Sequence, residues 1–318
     1  MPVTTVESAP TSRDLRAGGH WTRLQRLKND VLWLVASLAL AGTRPLPPSW
    51  LRVLGRALGR AAHVLAGRAR RTALGNVARV FPELDAPARR AFVRRCFVTL
   101  GETLGDTVAL LGARALPPLR VSAEAQATLA SAREEGRGVV FASAHLGPWE
   151  RVAGALVAAG VPLVALGRES YDPRFSRLYA RLRGAHGVRV LWRGGPGAAS
   201  RILRTLRGGE VLGVPMDLCS RVASCDAPFL GHAAATPIGP ARIALRARAA
   251  VVVGSAAPDP KGGLVVTATR VEAADLPADE GGARELTARI NAELSRRILA
   301  LPHAWVWMHE RWPAGTGL

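Results

Sequence analysis

The sequence predicts an α/β fold: a mixed, mostly parallel sheet flanked by helices, with an N-terminal helical extension. Three observations predict it. After residue 118, short apolar runs rich in β-branched residues alternate with helical stretches, the signature of strand–helix–strand units. Apolar residues make up 48% of the 318 positions, ample for the core of one large domain. An apolar run at 31–42 stands apart, directly behind the basic cluster Arg13, Arg16, Arg23, Arg26 and Lys28.

Taken in order, residues 1–20 are small and polar and read as a disordered tail without the features of a signal peptide. The run at 31–42 is shorter than the roughly 20 residues that span a bilayer. It can lie in the interface, dip into one leaflet or join the core, and the positive residues before it favour the cytoplasmic side, facing anionic lipid. Pro45, Pro47 and Pro48 end it. From Trp50 a helix places Leu51, Leu54, Leu58 and Leu65 on one face and Arg52, Arg56 and Arg60 on another, as an interfacial helix does. Residues 21–66 therefore form a membrane-associated helical segment, and 67–318 form the main domain.

Arg68 to Arg71 lead into the segment 74–83. Asp85, Ala86 and Pro87 then look like the cap and first turn of a helix reaching Leu111, its polar face again rich in arginine. After Pro117 and Pro118 the character changes. Strands are expected at 139–144, 162–166, 188–191, 211–215, 250–256 and 264–269. Helices are expected at 149–159, 173–182, 198–206 and 240–248, with a last one at 286–301 stopped by Pro302. No internal repeat or long linker interrupts the domain.

The net charge is +19, and all 43 basic residues except Lys28 and Lys261 are arginine. Such a chain is drawn to anionic surfaces: phospholipid headgroups, phosphorylated glycolipid, an acidic carrier protein or nucleic acid. Its arginines are spread without interleaved base-stacking aromatics, which argues against nucleic acid. Cys96, Cys219 and Cys225 are odd in number and fit a reducing compartment. Cys219 and Cys225 with His232 match no zinc spacing, so no metal is expected. Gly194-Gly195-Pro196-Gly197 lacks the Gly-Lys-Ser/Thr ending of a phosphate loop and reads as a turn before a helix.

The chemistry concentrates at 139–150. A buried strand ends at His145, Gly147 marks a turn, Pro148 suits the first helical position, and Glu150 follows in the first helical turn. An imidazole at a strand mouth with a carboxylate near enough to orient it can act as general base on a hydroxyl. No Gly-x-Ser-x-Gly element supplies a protein nucleophile, so the substrate's own hydroxyl would attack. Asp217 closes the strand at 211–215, where open α/β sheets place ligand-binding groups; capping the next segment is its alternative role.

The His145-Leu146-Gly147-Pro148-Trp149-Glu150 segment, a histidine followed after four residues by an acid, resembles the hallmark of the bacterial lipid A biosynthesis acyltransferase family. These are the late lauroyl/myristoyl transferases of the lysophospholipid acyltransferase superfamily. Four further blocks resemble the family in order and spacing. They are Asn76 with Phe81-Pro82-Glu83; Gly209-Glu210-Val211 through Pro215-Met216-Asp217; Phe229-Leu230-Gly231 with Thr236 and Gly239; and Ile290-Asn291 through Trp305-Val306-Trp307-Met308-His309-Glu310-Arg311-Trp312. Leu218 stands where many relatives carry Gln, and Glu310 where they carry Arg.

The resemblance implies O-acyl transfer to a hydroxyl of a lipid A precursor. The donor would be a thioester of acyl carrier protein or coenzyme A, with no other cofactor. The catalytic pair would be His145 and Glu150, with Glu150 holding the imidazole. Arg168 and either Arg181 or Arg183 would bind phosphate groups or the oxyanion, and Asp217 would belong to the substrate site. Anionic membrane lipid and the lipid acceptor would be the partners, and the cytoplasmic face of the inner membrane the location. Another lipid or glycolipid acceptor is the alternative. A non-enzymatic basic binding protein would give the His145/Glu150 pair no purpose.

Overall fold

Every apolar run expected to be a strand in the C-terminal part of the chain becomes one. The computed structural model describes residues 20–111, 116, 119–195, 197–219 and 222–312. The tail expected at 1–20 lies, except for His20, outside the described residues, as do Pro117, Pro118 and Pro196. Strands β1 (Arg120–Val121), β2 (Val139–Ser143), β3 (Leu163–Arg168), β4 (Arg189–Arg193) and β5 (Val211–Pro215) are followed by β6 (Ser224–Phe229), β7 (His232–Pro237), β8 (Ala250–Pro258) and β9 (Leu264–Val271). Seven of them form one sheet in the order β1-β9-β8-β2-β5-β3-β4. Its pairings are parallel except for the antiparallel β8–β9 hairpin. Strands β6 and β7 make a separate antiparallel hairpin, turned by Leu230 and Gly231, both at positive φ.

Continuous burial explains the central strands. Val139 to Ala142 and Val251 to Val253 are buried whichever face they point to, as parallel strands covered on both sides must be. One face packs on α5 (Ala123–Glu134) and α6 (Trp149–Ala158). The other packs on α3 (Gly67–Val80), α4 (Ala86–Leu111), α8 (Ala198–Arg207), α9 (Gly239–Ala247) and α10 (Glu280–Ala300). Helix α7 (Pro173–Gly184) joins β3 to β4.

Strand β1, helix α5 and the β6–β7 hairpin were not expected. Two residues of β1 are too few to read. In α5 only Ala125, Leu129 and Ala132 are buried, a weak apolar period. Helix α6 starts at Trp149 as expected, with Pro148 at its N-cap and not at the first helical position.

The N-terminal segment forms α1 (Arg23–Thr43) and α2 (Pro48–Leu65), separated at the expected prolines. Helix α1 opens with a capping box between Thr22 and Gln25 and buries none of its residues. Leu24, Leu27, Val31, Leu32, Leu34, Val35 and Leu38 are all exposed. It touches α7 through the edge of Trp33 on Phe175, 5.3 Å between ring centres, and through Asp30 to Arg174 at 2.8 Å. Among the described residues no helix is long and apolar enough to cross a membrane.

Helix α2 leaves most of the leucine face read from its sequence uncovered. Leu51 is buried, but Leu54, Leu58 and Leu65 are exposed, and the packed stripe is Leu51, Gly55 and Gly59. These residues meet Gly101 and Gly105 of α4 so closely that a Cβ on Gly55 would enter the Gly101 carbonyl. Such a crossing admits only glycine. The flanking arginines are consumed beside it: Arg52 pairs with Asp106 and Arg56 with Glu102.

Candidate active site

The register of two neighbouring strands builds the site. Ser143 of β2 is paired with Pro215 of β5. His145 and Asp217 each lie two residues further on, so they leave the same sheet edge side by side. This is the carboxyl end of the parallel strands, where open α/β sheets bind ligands. Gly147 turns the chain at φ +59 toward α6.

The Nδ1–H of His145 donates to Asp217 Oδ1 at 2.9 Å, and the His145 backbone N–H donates to Oδ2 at 2.9 Å. The indole N–H of Trp305 also donates to Oδ2, at 2.8 Å. Asp217 has 0% exposure. Burial alone raises its carboxyl, but the facing imidazole and these three donors outweigh it and hold the group below the usual carboxylate range. Burial likewise pulls His145 down; the charge and hydrogen bond of Asp217, with the charge of Glu150, outweigh it and leave His145 above its ordinary value. With Nδ1 committed to the carboxylate, Nε2 carries the lone pair of the neutral ring.

Glu150 is placed differently from the sequence expectation. Its carboxylate receives Arg183 in a two-pronged pair, Nε to Oε2 at 3.0 Å and a terminal nitrogen to Oε1 at 2.8 Å. No hydrogen bond joins it to His145. The reason is direction: Glu150 sits on the first turn of α6, which leads away from β2, whereas Asp217 emerges from the adjacent strand. The holding contact expected of Glu150 is therefore made by Asp217, and Glu150 reaches the imidazole only through its charge.

The same geometry decides between the two arginines of α7. Arg183 lines the site pocket, and Arg181 is exposed and lines a separate groove beside Trp33 and Leu178. Arg168, at the end of β3, is exposed and stacks over Tyr171 with 4.5 Å to the ring centre. It does not line the pocket. Asp217 stands behind His145, where it can orient the ring but not meet a substrate.

The pocket in front of His145 is mostly apolar. Leu146, Val152, Leu156, Leu163, Ala165, Phe141 and Gly254 line it, and Trp149 stands edge-on to the imidazole at 5.3 Å. His145 and Arg183 are its cationic groups. Backbone donors at the turn are already engaged: Gly147 N–H on Ala304 and Trp149 N–H on Gly147. Arg183 is thus a charged donor that lines the pocket together with His145. Among the described residues no three His, Cys, Asp or Glu side chains converge as metal ligands.

Sequence reasoning missed Trp305 as part of the site. It belongs to a C-terminal segment fixed from several sides. Asn76 Nδ2 donates to the carbonyls of Trp307 and His309 at 2.9 and 2.8 Å. The fully buried Arg311 donates to Ala235 O and Thr236 Oγ1, both at 2.6 Å, and Asn291 Nδ2 reaches Thr236 Oγ1 at 2.9 Å. Burial pushes Arg311 down to about 10. The scattered blocks Asn76, Thr236, Asn291 and Trp305–Trp312 thus meet behind the His–Asp pair.

Compared with known proteins, the chain matches the family model for bacterial lipid A biosynthesis acyltransferases over residues 19–314. No curated protein matches it.

Proposed function

Because the chain belongs to the bacterial lipid A biosynthesis acyltransferase family, and is an acyltransferase, we propose that it moves a fatty acyl chain from a thioester to a hydroxyl of a lipid A precursor, with His145 as general base. The observation that carries this reading is the His145–Asp217 contact at the mouth of an apolar pocket. Nε2 of His145 takes the proton of the acceptor hydroxyl as its oxygen attacks the thioester carbonyl. Asp217 holds the ring and stabilises the imidazolium that forms. Arg183, fixed by Glu150, faces the negative charge growing on the carbonyl oxygen. The carbon–sulfur bond then breaks, and the thiolate takes the proton from His145.

The acyl chain would occupy the apolar pocket. The donor is a thioester of acyl carrier protein or coenzyme A, and a surface of net charge +19 favours the acidic carrier. The basic residues ahead of α1 and its exposed leucines support docking at the cytoplasmic face of the inner membrane. Leu218 and Glu310, which depart from the family pattern, favour testing other lipid and glycolipid acceptors beside the lipid A precursor.

The test is transfer by purified protein with defined thioesters and lipid acceptors, read by mass. Wild type adds one acyl chain to the lipid A precursor; His145→Ala keeps its fold and loses about 10²–10⁴-fold in kcat/KM. Full activity in His145→Ala would remove the base assignment. Transfer only to another lipid would replace the acceptor.

A further inference from the structure

We infer that Asp106, a buried carboxylate of α4 that does not line the pocket, is a positioning residue for acyl transfer: through Arg151 it fixes the first turn of α6, and with it the Glu150–Arg183 pair that does line the pocket. This deepens the acyl-transfer reading and rests on it for the reaction affected.

Asp106 is buried where three helices meet. From α2, Arg52 brings Nε to Oδ1 at 2.5 Å and a terminal nitrogen to Oδ2 at 3.0 Å. From α6, a terminal nitrogen of Arg151 reaches Oδ2 at 2.8 Å. The glycine crossing sets up this junction. A Cβ on Gly105 would enter the Leu51 carbonyl, so α2 and α4 meet backbone to backbone one residue before Arg52 and one before Asp106. Contact that close brings Arg52 onto Asp106, and an ionised carboxylate has acceptor sites for both arginines.

Arg151 ties the junction to the site. It follows Glu150 in sequence, with Cα atoms about 3.8 Å apart, and both belong to the first turn of α6. Pro148 at the N-cap gives that turn no side-chain hydrogen bond, so the usual cap is missing. Two ion pairs hold the turn in its place: Arg151 on Asp106, and Glu150 on Arg183. All four side chains are mostly buried, where water and salt screen little. Without the Asp106 charge, Arg151 loses that carboxylate in a largely dry setting and the turn shifts to rehydrate it. Arg183 then falls out of line with the carbonyl oxygen it serves.

The test uses full-length wild type, Asp106→Asn, Arg151→Gln, Arg151→Lys and a control, Arg56→Gln, which breaks the neighbouring α2–α4 pair with Glu102 and involves no residue of α6. The first readout needs no substrate. It is water exchange of the Arg183 Nε–H, followed by nitrogen-15 NMR and assigned with Arg183→Lys. Exchange is slow in wild type and Arg56→Gln, and at least about tenfold faster in Asp106→Asn and Arg151→Gln. Equal exchange in all four overturns the proposal. The second readout is transfer. Asp106→Asn and Arg151→Gln lose about ten- to a hundredfold in kcat, with KM within about threefold of wild type. Arg151→Lys keeps a cation facing Asp106 and returns to within about threefold of wild type. Unchanged kcat, or a lysine variant no better than glutamine, overturns it. A third readout separates positioning from general stability. In Glu150→Gln the Arg183 pair is already weakened, so adding Asp106→Asn costs less than about threefold more in kcat. A full repeat of the single-variant loss overturns the route through Glu150. If Asp106→Asn does not fold, Arg151→Gln takes its place in each arm. The two readings fail separately. Arg183 exchange that depends on Asp106, in a wild type that transfers no acyl chain, refutes the acyl-transfer reading and leaves the junction. Transfer by wild type, with Arg183 exchange independent of Asp106, refutes the positioning role alone.

Discussion

Trp305 belongs to an aromatic cluster and also reaches the carboxylate that holds His145. Its indole N–H is one of three donors on the buried Asp217 carboxylate, at 2.8 Å. A hydrogen bond to a buried charge contributes about 1.5–3 kcal/mol. Trp305→Phe keeps most of the packing and removes that donor. We expect a folded protein whose kcat drops roughly ten- to a hundredfold with KM nearly unchanged, read from saturation curves. The pH dependence follows from His145. Its folded-state value is raised, and only the neutral ring accepts a proton. kcat/KM should therefore fall as pH drops through a point above about 6.5. An acid limb well below that point would mean that Asp217 does not support the imidazole.

The contact between α2 and α4 is the element most sensitive to small changes. Gly101→Ala forces a Cβ into the Gly55 carbonyl. Backbone cannot yield as a flexible side chain does, so the variant should lose about 1–3 kcal/mol or more in denaturant unfolding. Gly75→Ala in α3 is the counter-test. Nothing lies within 4 Å of a Cβ there, and the helix should gain about 0.5–1 kcal/mol. Equal effects at the two sites would contradict the close crossing. Sequence patterning revealed the strands because burial on both faces leaves unbroken apolar runs. It concealed this crossing, because glycines spaced by four lie between a leucine stripe and an arginine stripe and carry no hydropathy signal. The site was legible in the same uneven way. His145 and Asp217 both stood out at strand ends, but their contact depends on β2 and β5 being neighbours, which chain order does not state. Glu150, close in sequence, was the partner that local spacing suggested, and helix direction turned it toward Arg183.

At the scale of the molecule, charge and apolar surface act together. The net charge of +19 is concentrated in arginine. Some of it is neutralised by acids, as where Arg52 and Arg151 share the buried Asp106 at 2.5 and 2.8 Å. What stays outside accompanies an α1 helix that buries none of its residues. Vesicle sedimentation should show binding to phosphatidylglycerol membranes that weakens as salt rises and is much weaker on phosphatidylcholine. Replacing Leu34, Val35 and Leu38 by Ser together should lower binding at least tenfold at high salt, where the apolar term is left. Binding unaffected by those substitutions would assign the attraction to charge alone.

The central claim is that Asp217, and not Glu150, holds the His145 imidazole. Nitrogen-15 NMR titration of the His145 ring in wild type, Asp217→Asn and Glu150→Gln tests it without any substrate. We predict a wild-type pKa above the ordinary histidine value with the proton on Nδ1, a clear fall in Asp217→Asn, and a smaller fall in Glu150→Gln with the tautomer kept. A larger fall in Glu150→Gln than in Asp217→Asn, or a neutral ring protonated on Nε2 in wild type, would contradict it.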